Sequence, residues 1–137
     1  MKRVTGIGGI FFKCENPQSM KKSYDKHLGF NTDEYGTSFE WRQADNPDKK
    51  GFSVWSPFDA KTKYFEPSQK EFMVNYRVEN LECLLKELKK EGVQVLDDIE
   101  TVEYGKFAHI IDPEGNKIQL WEAFDEEYDK MAEAKTK

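Results

Sequence analysis

The sequence predicts an α+β fold made of two copies of a βαβββ module, and three observations lead to this prediction. The chain has 137 residues, which is the size of one ordinary domain. A Glu-Asn pair occurs at residues 15–16 and again at 79–80, and a helical pattern closed by glycine follows each pair. Residues 51–58 also match residues 117–124, since both carry a strand pattern with tryptophan near its end. Such repetition indicates a duplicated structural unit.

The first module is predicted over residues 4–58. It opens with a strand at Gly6–Lys13. Asn16 is a good helix N-cap and is followed by proline, so a helix is predicted over Pro17–Leu28, ending at Gly29. The three remaining strands of this module are expected near Phe30–Asp33, Ser38–Gln43 and Phe52–Trp55.

The second module is predicted over residues 72–124. Its first strand is Phe72–Val78, and its helix covers Leu81–Glu91, where leucines recur at helical spacing. Gly92 ends this helix. Residues 112–116 read as a hairpin turn. The three further strands are expected near Val93–Leu96, Lys106–Ile111 and Lys117–Trp121.

Both modules belong to one predicted domain, residues 1–137. Residues 59–71 carry lysines, a proline and a serine, and are interpreted as a surface linker between the modules. Residues 125–137 are a charged tail with Tyr128 and Met131 at helical spacing. We expect a short helix there, lying on the body of the protein or on a partner subunit.

Composition excludes several classes of protein. The chain is 14% aromatic and 37% hydrophobic, which is too much for global disorder. Its net charge is -5 and no basic patch is evident, so no nucleic-acid partner is expected. The uncharged run Val4–Phe12 is too short to span a bilayer, so no membrane partner is expected either. Cys14 and Cys83 are interpreted as reduced apolar fillers, which indicates a cytoplasmic protein.

Two segments carry a family resemblance that extends over nearly the whole chain. They are His-Leu-Gly-Phe at residues 27–30 and Asp-Pro-Glu-Gly-Asn-Lys-Ile-Gln-Leu at residues 112–120. Together with the paired modules, they resemble the vicinal oxygen chelate superfamily, which includes glyoxalase I, bleomycin-resistance proteins and extradiol dioxygenases. The resemblance implies a curved mixed sheet that closes into a cup, with helices outside and a ligand inside, often on a divalent metal.

Strand alternation divides the side chains of the predicted sheet into two sets. The apolar set, expected to face the helices, is Ile10, Phe12, Val54, Val74, Tyr76, Val78, Ala108, Ile110, Ile118 and Leu120. The mixed set, expected to face the cup, is Gly9, Phe11, Trp41, Gln43, Ser53, Trp55, Met73, Asn75, Arg77, Phe107, His109, Gln119 and Trp121. Apolar walls with a few polar groups are typical of a small-molecule pocket.

No metal or other cofactor is expected. The resemblance places the superfamily's metal ligands at Gly9, Ser53, Met73 and Gln119. Divalent metals in such sites prefer imidazole nitrogen or carboxylate oxygen, and none of these four residues supplies either. His109 is the one histidine expected in the cup, where it could serve as a general acid or base or simply bond to a neighbour.

The candidate ligand-binding residues are Trp41, Gln43, Ser53, Trp55, Met73, Asn75, Arg77, Phe107, His109, Gln119 and Trp121; no catalytic residue is assigned. The glycines at residues 6–9 are interpreted as places where a ligand or neighbouring strand approaches the backbone, rather than as a phosphate loop. Arg77 either clamps a carboxylate or phosphate bidentately or is a strand-end arginine that pairs with Glu79 or with solvent. The tryptophans either stack on a flat ligand or fill the cup.

Three functions follow from this pattern. The favoured one is a protein that binds a small, planar, anionic molecule in an aromatic cup without a metal, as in the bleomycin-resistance branch. The first alternative is a metal-dependent glyoxalase-like lyase or isomerase whose ligands lie elsewhere. The second alternative is a non-catalytic interaction or regulatory domain. A homodimer is expected in each case, because a small cup leaves a sheet edge and an apolar rim to be covered.

Overall fold

The computed structural model describes residues 2–137. Within this range there are three helices and nine strands. In chain order they are β1 (Val4–Cys14), α1 (Pro17–Leu28), β2 (Thr37–Gln43), β3 (Asn46–Asp59), β4 (Phe72–Val78), α2 (Leu81–Lys90), β5 (Gln94–Val95), β6 (Glu100–Val102), β7 (Gly105–Ile111), β8 (Lys117–Ala123), α3 (Asp125–Met131) and β9 (Lys135–Thr136).

One curved sheet contains all nine strands. Its order is β5-β7-β8-β4-β1-β3-β2-β9, and β6 pairs with β7 beside this path. The first strands of the two modules, β1 and β4, lie antiparallel at the centre of the sheet. Each of them also pairs in parallel with the last strand of its own module, β3 or β8. The predicted α+β fold with two repeated modules is therefore confirmed, and both modules lie in one sheet of one chain.

The module helices α1 and α2 begin where the sequence predicts. The side chain of Asn16 accepts a hydrogen bond from the backbone N–H of Ser19, and Asn80 does the same for Cys83. These bonds satisfy donors that the first helical turn leaves without partners. The leucine stripe of α2 packs on one face of the second module, and the core there contains Val78, Leu81, Leu84, Leu85, Ala108 and Leu120. We call the opposite face of the sheet the cup face.

The first module forms its outer edge differently from the second. No strand forms at the predicted Phe30–Asp33; instead β9, from the tail, pairs in parallel with the edge of β2. Asn31 is hydrogen bonded to this tail through Lys135 and Thr136. The tail thus occupies the edge position that β5 occupies beside β7 in the second module.

The predicted side-chain directions are wrong for β3. Trp55 packs on the helix side, with ring centroids 4.5 Å from Tyr24 and 5.0 Å from Phe30. Val54 instead lies on the cup face with the cluster of Phe11, Phe65 and Met73. The sequence repeat equates Trp55 with Trp121, and therefore Val54 with Leu120. In the structure, however, Val54 pairs with Gly9 as Gln119 pairs with Asn75, so the true correspondence is shifted by one residue. A shift of one residue exchanges the two faces of a strand, and the predicted faces of β3 are therefore reversed.

Two segments outside the modules fill the cup. In the predicted surface linker, Phe65 is fully buried against Phe11 and Met73, so the linker is partly a core element. From α3, Tyr128 reaches over the cup face, with its ring 5.0 Å from Phe52 and 5.4 Å from Trp121. The tail helix therefore lies on the body of its own chain.

In the described part of the chain, none of the helices combines the length and the apolar character needed to cross a bilayer.

Candidate functional site

A chain of hydrogen-bonded polar side chains lies at the centre of the cup face. Asn75 on β4 donates from Nδ2 to Oε1 of Gln119 on β8, at 2.6 Å. This bond fixes the amide of Gln119, whose Nε2 donates to the Tyr64 hydroxyl at 2.9 Å and lies 3.1 Å from His109 Nε2. Asn75, Gln119 and His109 are each at most 7% exposed. We call Tyr64, Asn75, Asp97, His109 and Gln119 the polar network.

Asp97 holds His109 at two points. The backbone N–H of His109 donates to Asp97 Oδ1 at 2.8 Å, and the ring nitrogen Nδ1 lies 2.7 Å from Asp97 Oδ2. An ionised carboxylate only accepts hydrogen bonds, so this pairing assigns the ring proton to Nδ1. The lone pair on Nε2 then faces the amide of Gln119 and the hydroxyl of Tyr64.

The surroundings shift the pKa values of the His109 imidazole and the Tyr64 hydroxyl. Burial lowers the pKa of His109 below its ordinary value, although the neighbouring carboxylate of Asp97 acts in the opposite direction. Burial also raises the pKa of the Tyr64 hydroxyl. Both groups are therefore held in their neutral forms near pH 7. Lys117, whose own pKa is lowered by burial, donates to the backbone carbonyl of Tyr64 at 2.6 Å and so fixes this residue above the network.

Gly8 makes room for the network. It is an extra residue in β1, between the pairs Ile7–Tyr76 and Gly9–Asn75. A β-carbon on Gly8 would come within 2.0 Å of Asn75 Oδ1 and 3.0 Å of Arg77 Cγ. At Gly8, a side chain of the neighbouring strand β4 does approach the backbone, as the sequence predicts for these glycines. Asn75 Oδ1 itself is buried and has no hydrogen-bond partner.

A second cluster surrounds Arg77, next to the network along β4. The guanidinium lies between two indoles, 4.9 Å from the ring of Trp41 and 5.5 Å from that of Trp121. Both of its terminal nitrogens donate to Asp125 of α3, at 2.9 and 2.6 Å. Gln43 donates to the same carboxylate at 3.3 Å. Arg77 is thus already paired bidentately within its own chain.

A wide groove of about 1350 Å³ opens beside Arg77. Nine acidic and four basic residues line it, including Asp125, Glu122 and Lys50. Its surface is therefore predominantly negative, which does not favour a free anion. This charge and the pairing of Arg77 with Asp125 remove the reason for expecting an anionic ligand at Arg77.

The structure brings six of the predicted site residues together on the cup face of the second module. They are Asn75, Arg77, Phe107, His109, Gln119 and Trp121. The rings of Phe107 and Trp121 stack at 5.7 Å and form an aromatic wall. Trp41 and Gln43 join this group through Arg77 and Asp125.

Three predicted site residues have other positions or surroundings. Met73 is fully buried beneath Phe65, and Trp55 lies on the helix side of the sheet. The Ser53 hydroxyl accepts a bond from the Trp41 indole at 2.8 Å and donates to the Ile7 carbonyl. None of the three presents a free group to the polar network.

The four positions that the resemblance assigns to metal ligands do not suit a divalent cation. Gly9 has no side chain, Met73 offers a buried thioether, Ser53 bonds to Ile7, and the Gln119 carbonyl accepts from Asn75. In residues 2–137 there is also no group of three or more His, Cys, Asp or Glu side chains arranged to hold a metal. The donor set therefore does not fit the superfamily's metal.

Sequence reasoning missed Tyr64, Asp97 and Asp125. Tyr64 carried a usable signal, because an adjacent pair of aromatic residues, Tyr64 and Phe65, is unusual in a polar surface linker. The two aspartates carried none, since their partners His109 and Arg77 are 12 and 48 residues away in sequence.

Comparison with known proteins rests on structure alone. No protein-family model matches the sequence, and no curated protein matches it. Solved structures do. A variant of methylmalonyl-CoA epimerase from Streptomyces coelicolor, in complex with 2-nitronate-propionyl-CoA, has a TM-score of 0.64 at 14% identity, over 88% of this chain and 99% of that one.

Two further solved structures support the same fold. A glyoxalase/bleomycin resistance protein/dioxygenase superfamily member from Vibrio splendidus 12B01 gives a TM-score of 0.53 at 13% identity, over 89% and 99% of the two chains. The Mn(II)-bound glyoxalase from Novosphingobium aromaticivorans gives 0.59 at 12% identity, over 89% of this chain and 40% of that one. The chain has the vicinal oxygen chelate fold. At these identities the likeness concerns the fold, so function must be argued from the site.

Proposed function

We propose that this vicinal oxygen chelate protein binds a small, flat, uncharged molecule in its cup, at the polar network and without a metal. The observation that supports the proposal is the network itself. Asn75, Gln119 and His109 are polar groups buried in the middle of a sheet whose cup face is otherwise largely aromatic. Burying such groups is costly unless they bond, and a ligand-binding role accounts for keeping them.

The chemistry of the network defines the ligand class. Two groups of the network keep hydrogen-bonding capacity: the buried carbonyl oxygen of Asn75, which has no partner, and the hydroxyl of Tyr64, whose oxygen accepts from Gln119 and whose proton is available. These groups are neutral, and they suit a carbonyl or a heteroaromatic ring rather than a carboxylate. The stacked rings of Phe107 and Trp121 supply an apolar wall for a flat ligand body.

Tyr64 is the expected entrance. It is 43% exposed and covers the network, stacked on Phe58 at 5.8 Å. Its segment is held mainly by the buried ring of Phe65 and by the bond from Lys117. Rotation of the Tyr64 side chain would therefore uncover Gln119 and His109 without disturbing the sheet.

Tryptophan fluorescence tests the proposal, because Trp121 borders the network. We expect quenching by planar neutral probes such as benzamide and isoquinoline, and less by benzoate at equal concentration. Gln119→Leu should weaken binding about tenfold, because it leaves Asn75 without its partner. The matched control is Gln18→Leu, on the exposed surface of α1. Equal affinity of both variants for every probe would overturn the proposal.

The filled cup favours one other function, a non-catalytic interaction domain. Tyr64, Phe65 and Tyr128 already occupy much of the space above the sheet. If no probe in the panel changes the fluorescence of wild type or of Tyr64→Ala, in which the covering ring is removed, the interaction function becomes the better account.

A further inference from the structure

We infer that the cluster around Arg77 is a second ligand site, for a small aromatic carboxylate, and that α3 closes this site as a built-in competitor. The cluster consists of Trp41, Gln43, Arg77 and Trp121, and we call it the arginine site. Three of these residues, Trp41, Gln43 and Arg77, line the wide groove. In the structure the tail of the chain itself occupies the site. The arginine site lies beside the polar network, and its ligand is independent of the neutral ligand proposed there.

The tail helix presents the two parts of an aromatic acid to the cup. Asp125 places its carboxylate in the guanidinium fork of Arg77, at 2.9 and 2.6 Å. Three residues later, Tyr128 places its ring 5.4 Å from that of Trp121 and hydrogen bonds to Ser38 through its hydroxyl. Side chains three residues apart lie on the same face of a helix. These contacts therefore indicate the class of a free ligand, an aromatic ring joined to a carboxylate by a short chain.

Arg77 is built to hold an acceptor, and Asp125 does not satisfy it completely. The side chain of Arg77 is only 7% exposed, and its guanidinium lies between the indoles of Trp41 and Trp121. Its Nε is buried without a hydrogen-bond partner, because Asp125 accepts only from the two terminal nitrogens. A buried donor without an acceptor is costly. The donor set thus has a place for a further acceptor, which a free ligand can supply and α3 does not.

The helix α3 is attached in a way that permits its displacement. It has seven residues, none of them buried, and no side-chain cap at Phe124 where it begins. A helix this short has little stability of its own in water. Its contacts with the sheet are the ion pairs with Arg77 and Lys50 and the packing of Tyr128. Because Ala134 is buried and β9 pairs with β2, α3 can lift while the end of the chain stays attached.

Displacing α3 also changes the charge of the groove. Nine acidic and four basic residues line it when α3 is in place. Four of the nine acidic residues belong to α3, namely Asp125, Glu126, Glu127 and Asp129. Lifting the helix also removes Asp129 from Lys50, which then keeps only its longer pair with Glu40, at 3.5 Å. Much of the negative charge that opposes a free anion is therefore carried by the segment that the anion displaces.

The first experiment asks whether an aromatic acid lifts α3 in wild type. The probe is 3-phenylpropionate, which carries a ring and a carboxylate on a short chain, and 3-phenylpropionamide is its uncharged control. Calorimetric titration measures affinity, and hydrogen exchange followed by NMR reports on the amides of residues 125–131. We expect the acid to bind weakly, because it competes with a tethered carboxylate, and to speed exchange in α3. The amide should leave exchange in α3 unchanged.

Three variants test the competition between the acid and Asp125. Asp125→Asn keeps the shape of the side chain but loses its charge, so the acid should bind about tenfold more tightly than to wild type. Glu126→Gln is the matched control, since it removes one negative charge from the same groove at an exposed residue. It should change the affinity by less than about threefold. Arg77→Met combined with Asp125→Asn removes both members of the buried pair, and the acid should no longer bind.

Each contrary result is distinct. Equal affinity of wild type and Asp125→Asn for the acid overturns the inference, and so does the absence of binding to Asp125→Asn. Binding that leaves exchange in α3 unchanged, or that survives Arg77→Met with Asp125→Asn, also overturns it. None of these results bears on the proposed function, which is tested by neutral probes and by Gln119→Leu with Arg77 and Asp125 in place.

Discussion

Gly8 shows how a single missing β-carbon positions the candidate site. Asn75 can lie flat against β1 only because the extra residue there has no side chain. Asn75 in turn orients Gln119, and Gln119 touches both Tyr64 and His109. The geometry of four side chains thus depends on the space at one glycine.

Replacing Gly8 with alanine should therefore destabilise the protein and disturb the polar network. The new methyl group would lie 2.0 Å from Asn75 Oδ1, so a buried side chain must move. We expect a loss of about 2 kcal/mol in the free energy of unfolding, measured by urea denaturation. Gly6→Ala is the matched control, since its β-carbon would meet Trp41 at an ordinary 3.6 Å. Similar stability of the two variants would contradict this account.

The side chains at the four expected ligand positions also predict that the protein does not bind a divalent metal tightly. Gly9, Ser53, Met73 and Gln119 offer no imidazole or carboxylate. Purified protein should contain far less than one equivalent of nickel, zinc, iron or manganese by elemental analysis. Near-stoichiometric metal that is lost in Gln119→Leu would show that the donor set has been misjudged.

His109 should make stability depend on pH. Its pKa is lowered in the folded protein by burial, while the unfolded chain has the ordinary value of about 6.5. As the pH falls below about 6.5, His109 takes up a proton more readily in the unfolded chain than in the folded protein. The stability that neutral His109 contributes above this pH is therefore lost as the pH falls through the lower pKa of the folded state. Between about pH 7 and 5, Tm should fall more steeply for wild type than for His109→Gln. A His27→Gln variant should behave like wild type.

At the scale of secondary-structure elements, α3 is attached to the cup mainly through ionic and aromatic contacts. Asp125 at its start pairs with Arg77, and Asp129 pairs with Lys50 at 2.9 Å. Tyr128 hydrogen bonds to Ser38 and packs on Phe52. The short helix contains no buried residue of its own. Its position therefore depends on these contacts rather than on a core stripe.

Asp125→Ala should release α3 and cost more than an ordinary surface change. The side chain of Arg77 is only 7% exposed, so the variant leaves a buried cation without its partner. Removing one member of such a pair costs roughly 3 kcal/mol, and we expect most of that loss in urea denaturation. Faster amide exchange in β9 should accompany it, because the tail strand follows α3. Glu126→Ala, one residue further along and exposed, should change stability by less than about 0.5 kcal/mol.

At the scale of the whole molecule, an apolar stripe crosses the outer face of the central strand pair. Val4, Ile7 and Ile10 of β1 are 45–52% exposed, and Phe72 of β4 is 42% exposed. Pairing with Tyr76, Val74 and Phe12 places these side chains on the helix side of the sheet. An exposed apolar stripe of this kind is typical of a contact surface between subunits.

We expect this stripe to be the interface of a homodimer, because closed twofold pairing is the commonest way to cover such a surface. Native mass spectrometry and sedimentation should give a dimer at micromolar concentration. Ile10→Lys should convert it to a monomer, because a charge would be buried between the subunits. Leu28→Lys, at an apolar residue on α1 that is even more exposed than Ile10, should leave the dimer intact. A wild-type monomer, or a dimer that persists in Ile10→Lys, would contradict the prediction.

Local sequence signals were sufficient for most of the elements. Asn16 and Asn80 cap the helices they were expected to cap, and the leucines of α2 face the core. Asn75, His109 and Gln119 were assigned to the cup because strand alternation within β4, β7 and β8 needs only the order of neighbouring residues. The duplication itself was visible in the repeated Glu-Asn pairs.

What the sequence could not determine depends on contacts between distant residues. The direction of Trp55 was decided by the pairing of β3 with β1, which a one-residue shift inverts. The partner of Arg77 was decided by the return of α3 across the cup, and the environment of His109 by Asp97 and by Tyr64 from the linker. The sequence by itself determined the modules and most of their faces, because these follow from short-range periodicity. Only the tertiary structure decided which charges are paired and what fills the cup, because those depend on where separate segments meet in space.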